Sequence, residues 1–173
     1  MKNNKEIGES VIKCWYNKSL RREETARGRS FIQAIGERGI EFRPDMIRYK
    51  PEIHAADYLN YGYEETVQAL KGADRKTTAI IADDDRTAYS AMNAIRDLGL
   101  RVPEDVSLFV ICGDLSKMNQ ASPALTSMDL QPSELGVQSV RLLLHKLGVI
   151  EGEHSNHWIV NSEIIERSSC SSV

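Results

Sequence analysis

Residues 77–108 have the sequence TTAIIADDDRTAYSAMNAIRDLGLRVPEDVSL, and this stretch decides the fold class. The apolar run at residues 79–82 predicts a buried strand, which ends in three consecutive aspartates. Small and apolar side chains then recur at helical spacing, which predicts an amphipathic helix that ends at Gly99. A nearly continuous apolar run follows at residues 106–111. Such runs are typical of parallel strands buried on both faces, so the stretch predicts two parallel strands joined by a crossover helix.

The same alternation extends over the whole chain. Further strands are predicted at residues 11–16, 46–49, 125–130 and 158–165, and further helices at residues 23–39, 63–70 and 133–147, the last with Ser133 as its N-cap. Strands that alternate with helices predict an α/β fold, a three-layer and mostly parallel sheet with helices on both faces. From the length of 173 residues, we expect residues 1–173 to form one domain.

The composition excludes several classes of protein. The formal net charge is −3, and the one basic cluster, at residues 18–22, is followed at once by two glutamates, so no nucleic-acid-binding surface is predicted. Three cysteines without CxxC spacing predict neither a disulfide framework nor a zinc site, and we expect no cofactor. No apolar run approaches the ~20 residues needed to span a bilayer, and the N-terminus lacks the apolar segment of a signal peptide, so we expect a cytoplasmic protein.

The three aspartates, Asp83, Asp84 and Asp85, mark the candidate site. Open α/β sheets bind ligands at the carboxyl ends of their strands, where these side chains are expected to lie. Adjacent carboxylates repel one another and are tolerated only when they are solvated or paired with a cation or a ligand. Asp85 is positioned to cap the following helix, and Asp83 is expected to be structural or solvated. A Mg²⁺-dependent phosphoryl-transfer enzyme using residues 83–85 is one alternative, although the sequence contains no Gly-rich phosphate loop.

Six short motifs occur in order along almost the whole chain. They are Arg27 with Phe31 and Ala34, Gly62-Tyr63, the strand and turn at residues 78–88, the segment GLRVPEDVS at residues 99–107, residues 123–127 together with 134–136, and the tail at residues 166–169. Together these motifs resemble the effector-binding domain of LacI/GalR-type bacterial transcription regulators, which are related to periplasmic sugar-binding proteins. The segment at residues 99–107 is the most specific match.

The resemblance implies a type I periplasmic-binding-protein-like subdomain that senses a small-molecule effector, with a sugar as the expected class, and that is not an enzyme. It implies a ligand bound between two subdomains and contacted by these residues: Arg27, Asp84, Asp85, Asp114 and Tyr58. Arg27 matches the effector-binding arginine of the family, and Tyr58 is a candidate stacking ring. The family's Gly-Phe-Asp-Asp sequence after the fourth strand is replaced at residues 110–114 by VICGD, which keeps one carboxylate and loses the aromatic ring.

Members of this family begin with a helix-turn-helix, a hinge and a first effector subdomain, and the resemblance covers roughly the second subdomain. We therefore expect a fragment of a homodimeric regulator that contacts DNA only through a domain absent from this chain. Residues 131–148 belong to the first subdomain in the family. Their helix is expected to expose an apolar face, which a second copy, repacking or a swap would cover. A fragment of a periplasmic sugar-binding protein is the other alternative.

Overall fold

The structure is a computed structural model, and it describes residues 11–17, 26–50, 58–72, 77–151 and 157–171. Its strands are β1 (Val11–Asn17), β2 (Ile47–Lys50), β3 (Thr77–Asp84), β4 (Ser107–Cys112), β5 (Thr126–Asp129) and β6 (Glu163–Ile165). Its α-helices are α1 (Ala26–Gly36), α2 (Tyr58–Lys71), α3 (Asp85–Asp97), α4 (Leu115–Gln120) and α5 (Pro132–Lys146), and a short 3₁₀ turn, Pro44–Met46, precedes β2. No helix within the described ranges is both long enough and apolar enough to cross a membrane.

The strands form one sheet in the order β2-β1-β3-β4-β5-β6. Every described pair is parallel except β5 with β6, which is antiparallel. The first five strands therefore follow the order 2-1-3-4-5, and the direction in which successive strands are added reverses between β1 and β3. In sheets of this order, that reversal opens a crevice at the carboxyl ends of the two strands. The predicted α/β class with a mostly parallel sheet is confirmed.

Two apolar cores lie on opposite faces of the sheet. Ile80 and Ala82 of β3 belong to the larger core, which α2 and α3 cover. Ile81 points to the other face and packs against the smaller core, where Phe31 and Ile35 of α1 lie. Successive side chains of a strand point to opposite faces, so an unbroken apolar strand supplies both cores. The three-layer arrangement predicted from the apolar runs follows from this alternation.

Gly62 allows α2 and α3 to pack closely. A Cβ atom at this position would lie 3.0 Å from the Ser90 Cβ and 3.2 Å from the backbone oxygen of Thr87. A larger residue would push the two helices apart. A second glycine, Gly99, ends the α3 region with a positive φ of 73°, as the sequence predicts for a helix C-terminus.

The tail of the chain closes the sheet between β4 and β5. Ser169 is fully buried; its Oγ donates to the Leu108 backbone oxygen at 2.5 Å and accepts from the Thr126 amide at 2.8 Å. The Leu108 amide in turn donates to the Ser169 carbonyl at 2.8 Å. Because the β4–β5 pairing starts only at Phe109 and Thr126, Ser169 supplies the bonds that a longer β5 would make with Leu108.

Arg167 anchors the same tail from the side. Its guanidinium donates to the Leu125 carbonyl at 2.7 Å, to the Ser127 Oγ at 2.9 Å and to the Asn119 Oδ1 at 2.6 Å. These bonds tie the tail to β5 and to the end of α4. The motif at residues 166–169 therefore has a structural role in this chain.

Two sequence predictions about the last third of the chain are corrected, and one helix is added. The short helix α4 is not predicted, because six residues are too few to show a helical period. The final strand begins at Glu163 and spans three residues, since the residues before it make no ladder with β5. The predicted cap at Ser133 is wrong: α5 begins at Pro132, and its N-cap is Gln131, which has left-handed backbone angles and makes no side-chain capping bond.

Helix α5 stands apart from both cores, and none of its residues is buried. Among its apolar side chains, Val140 and Leu143 are each 57% exposed. The other helices of comparable length place small and apolar side chains in a core, as α3 does with Ala88, Ala91 and Ile95. The predicted exposure of an apolar face on this helix is confirmed.

We predict that Ser169→Ala lowers the free energy of unfolding by about 1–3 kcal/mol. The substitution leaves the buried Thr126 amide without its partner, and it leaves the Leu108 carbonyl only the weak hydrogen bond from the Cys170 thiol at 3.4 Å. Urea unfolding followed by circular dichroism measures the loss. The neighbouring Ser168→Ala is the matched control, since the Ser168 side chain is exposed. Equal free energies for the two variants would contradict the bridging role of Ser169.

Candidate ligand-binding site

The candidate site lies at the carboxyl ends of β1, β3 and β4. Helices α1, α3 and α4 begin after these strands, so their first residues gather along the same edge of the sheet. Helix α1 covers one face of the sheet and α3 the other. The site therefore lies in the crevice at which the strand order reverses.

Arg27 and Asp83 meet across this crevice. The Arg27 guanidinium, in the first turn of α1, donates to the Asp83 carboxylate at the end of β3 and forms an ion pair with it. The Arg27 side chain is 50% exposed and the Asp83 side chain only 14%. The arginine thus remains accessible to a ligand, and it balances the negative charge of a carboxylate that is largely shielded from solvent. Asp83, for which the sequence predicts a structural or solvated role, is the aspartate that contacts the predicted effector-binding arginine.

Asp84 is the N-cap of α3. Its Oδ1 accepts a hydrogen bond from the Thr87 amide at 2.8 Å, and its backbone is extended, as N-cap residues usually are. The cap is therefore Asp84 and not Asp85, the residue for which the sequence predicts this role. The shift by one residue arises because β3 continues through Asp84.

Asp85 is the first residue of α3 and has a cationic neighbour. Its Oδ2 lies 3.4 Å from the Lys117 Nζ on α4, and its Oδ1 accepts from the Arg86 amide at 2.9 Å. The Asp85 side chain is 18% exposed and the Lys117 side chain 58%. Each of the three adjacent carboxylates therefore faces its own positive partner: a guanidinium, a helix N-terminus and an ammonium group. The repulsion expected from the sequence is compensated in this way.

Asp114 caps α4 at the neighbouring strand end. Its Oδ1 accepts from the Ser116 Oγ at 2.6 Å and from the Ser116 amide at 2.9 Å. These hydrogen bonds stabilise the charged form and lower the pKa of the Asp114 carboxyl. The carboxylate is exposed at the rim of the site, and its predicted contact with a ligand stays a prediction.

Gly113 brings the β4–α4 turn close to the start of α3. A Cβ atom at this position would lie 3.2 Å from the Asp85 Cβ and 3.3 Å from the Met118 Cε. The departure from the Gly-Phe-Asp-Asp pattern at residues 110–114 thus leaves a small residue beside Asp85.

Tyr58, the candidate stacking ring, and the nearby Tyr61 differ in position. Tyr58 is the first residue of α2, and its side chain lies outside the described part of the structure. Tyr61 is buried in the larger core and packs there. Burial, with a smaller effect from Glu65, raises the pKa of the Tyr61 hydroxyl, while Arg48 acts in the opposite sense. Tyr61 is therefore a core residue.

Lys117 is the site residue that the sequence analysis misses. It lies on α4, and the Tyr89 hydroxyl of α3 donates to its backbone oxygen at 2.6 Å, which holds α4 beside the start of α3. In the sequence, the only indication of this role is the position of Lys117, three residues after Asp114.

The described residues provide no metal site. His157 is exposed, His154 lies outside the described residues, and no group of potential metal ligands occurs among the residues that the structure describes.

A second concavity, of about 660 Å³, lies between α5 and the segment that leads into β6. Its lining combines amide and carboxylate side chains of α5 with the indole of Trp158, whose ring meets His145 edge-on at 6.2 Å. It shares no residue with the site around Arg27 and is open to solvent.

The sheet is doubly wound, and charged side chains lie at its switch point. The family model described as "Periplasmic binding protein-like domain" matches residues 10–170, and the chain belongs to this family.

Similar proteins are transcription regulators. The chain is 32% identical over 124 residues to the HTH-type transcriptional repressor PurR of Pasteurella multocida, an alignment that covers 70% of this chain and 34% of that protein. It is 30% identical over 138 residues to the arabinose metabolism transcriptional repressor of Halalkalibacterium halodurans, covering 79% of this chain and 35% of that protein. The chain spans between 34% and 46% of the length of the curated relatives it matches.

The fold is shared with solved regulators. The crystal structure of a LacI family transcriptional regulator from Bifidobacterium animalis superposes with a TM-score of 0.77 at 26% identity, covering 94% of this chain and 56% of that chain. The resemblance to the effector-binding domain of LacI-type regulators is thereby confirmed.

We predict that Asp84→Ala lowers the free energy of unfolding by about 1 kcal/mol, because the Thr87 amide loses its cap, whereas Asp84→Asn retains most of the stability. Chemical denaturation of both variants beside the unsubstituted chain measures the difference. Equal losses for alanine and asparagine would show that the charge of Asp84, rather than its capping oxygen, stabilises the helix.

Proposed function

We propose that this chain is the effector-binding part of a bacterial transcription regulator and that it binds a small polar molecule, a sugar in the first instance, beside Arg27. This proposal rests mainly on the contact between Arg27 and Asp83 across the switch point of the sheet. A half-exposed guanidinium held by a shielded carboxylate is a preorganised donor for ligand oxygens. The relative that represses arabinose metabolism supports a sugar as the ligand class.

The remaining binding residues follow from the same geometry. Asp84 and Asp85 lie at the strand end beside Arg27. Asp84 keeps its cap through Oδ1, and its second oxygen can accept from a ligand hydroxyl. Asp85 already binds the Arg86 amide and Lys117, so a ligand hydroxyl would share its oxygens with these partners. Asp114 lies at the next strand end, and Tyr58, the first residue of α2, is the remaining ligand contact that we propose. Paired carboxylates and a planar guanidinium suit vicinal hydroxyls, which present donors and acceptors side by side.

A binding role fits the aspartates better than catalysis by a magnesium enzyme. A Mg²⁺ ion requires carboxylates that are free to act as ligands. Here Asp83 is paired with Arg27, Asp84 caps α3, and Asp85 lies beside Lys117. We therefore propose a non-enzymatic domain that uses no cofactor.

The regulatory mechanism that we propose requires parts beyond this chain. In a longer protein, residues 131–148 pack with a first subdomain, and the ligand lies between the two subdomains. Closure around the ligand changes their relative angle and so the spacing of DNA-binding heads in a cytoplasmic homodimer. DNA is contacted only through that additional domain. A periplasmic sugar-binding protein is less well supported, because the two curated relatives described above are transcriptional repressors.

We predict that a pentose or hexose raises the melting temperature of this chain and that Arg27→Ala abolishes the rise. At a ligand concentration of about 100 times Kd, the shift should be about 5–10 °C. A thermal-shift screen with sugars and nucleosides measures it. Arg29→Ala is the matched control, because Arg29 is exposed on the same helix.

The same assay distinguishes the alternatives. A sugar-dependent shift that Arg27→Ala leaves unchanged would place the ligand elsewhere. Tight stoichiometric binding of Mg²⁺ that depends on Asp83–Asp85 would instead favour the phosphoryl-transfer enzyme.

A further inference from the structure

The second concavity lies between α5 and residues 157–162, which lead into β6 and are here called the return segment. Its volume is about 660 Å³, and it shares no residue with the site around Arg27. Ligand pockets of proteins have volumes of roughly 300–1,000 Å³. A small molecule therefore fits here without competing for the proposed site.

Helix α5 turns its polar side towards the return segment. Glu134, Gln138 and His145 follow one another at intervals of four and seven residues, which places them on one side of the helix. Glu134 and Gln138 line the concavity, and His145 meets the Trp158 indole edge-on. Val140 falls on the opposite side of α5 and does not line it. The concavity is therefore distinct from the exposed apolar surface of this helix.

The two walls of the concavity carry planar polar groups. On the α5 wall, the Gln138 Nε2 donates to the Glu134 Oε1 at 2.5 Å, which aligns an amide beside a carboxylate. Gln131, at the start of α5, adds a second amide. Asn161 and Glu163 supply a third amide and a second carboxylate from the opposite wall. All five groups accept hydrogen bonds, and the amides also donate them.

The indole of Trp158 gives the concavity an apolar surface. The side chain is partly buried, and its ring lies 6.2 Å from the His145 ring at an angle of 79°. This edge-on contact restrains the plane of the indole beside the polar groups of α5. A matching ligand therefore combines an apolar ring face with hydrogen-bonding groups around its edge.

We propose that the second concavity binds a neutral saccharide. The hydroxyl groups of a sugar both donate and accept, as the amides of the lining do, and its C–H face packs against Trp158. The described residues that line the concavity include two glutamates and neither lysine nor arginine, which disfavours an anionic ligand.

The affinity of this site should be weak, because the concavity is open to solvent. We expect a Kd on the order of 1 mM. At sub-millimolar sugar the site stays largely empty and adds little to a thermal shift. Binding here does not depend on the ligand proposed beside Arg27, and the two sites are separated by their variants.

Calorimetric titration of the whole chain with glucose, maltose and sucrose in turn tests the proposal. We expect millimolar binding of at least one sugar that Arg27→Ala leaves unchanged. Trp158→Ala should abolish this binding, and Gln138→Ala should weaken it by about tenfold, since one amide is lost. Val140→Ala is the matched control, because Val140 is 57% exposed on the opposite side of the same helix.

Several outcomes would overturn the proposal. They are no binding of any of the three sugars up to about 50 mM, equal weakening by Gln138→Ala and Val140→Ala, and loss of the binding in Arg27→Ala. Glucuronate or choline that binds as well as the sugars would contradict a neutral ligand. Circular dichroism of each variant checks that its helix content is unchanged. If no sugar binds beside Arg27, the proposed function fails while this site can still bind, so the two proposals fail separately.

Discussion

Compensation of three adjacent negative charges is the constraint on which the rest of this structure depends. Strand β3 delivers Asp83, Asp84 and Asp85 to a place that is partly shielded from water. Each carboxylate is balanced by a different element: α1 supplies a guanidinium, α3 its own N-terminal amides, and α4 an ammonium group. The three helices are thereby held against one strand end from different directions. Removing any one of them would leave a carboxylate uncompensated in a poorly solvated position.

The sequence alone predicts the parts of this fold that rest on local pattern. The apolar runs at residues 79–82 and 106–111 predict buried parallel strands, and the three aspartates between them point to the edge of the sheet at which Arg27 and Asp83 meet. What the sequence could not predict depends on contacts between distant residues. Whether Arg27 meets Asp83, Asp84 or Asp85 is decided by the order of β1 and β3 in the sheet and by where β3 ends.

Short elements are the other limit of prediction from sequence. Helix α4 is too short to show a period, and Lys117 could not be assigned to the site without it. The start of α5 differs from the expected one for a related reason. Gln131 adopts the left-handed backbone conformation that glycine usually occupies. A glutamine in a sequence does not indicate this conformation, so the start of the helix could not be predicted from it. The sequence predicts helix α5 itself, because its pattern extends over four turns. The exposure of its apolar face is implied by the family resemblance, in which this helix belongs to a first subdomain.

The position of Ser169 has a consequence for how the chain folds as it is synthesised. The bonds that Ser169 makes to Leu108 and Thr126 join residues 61 and 43 positions apart, so the gap between β4 and β5 is filled only by a late segment. Until that segment has left the ribosome, the amide of Thr126 and the carbonyl of Leu108 lack their native partner in the middle of the sheet. The proposed ligand site at the opposite end of β4 is therefore built on a sheet that residues 166–169 complete, although Ser169 bonds to the other end of that strand.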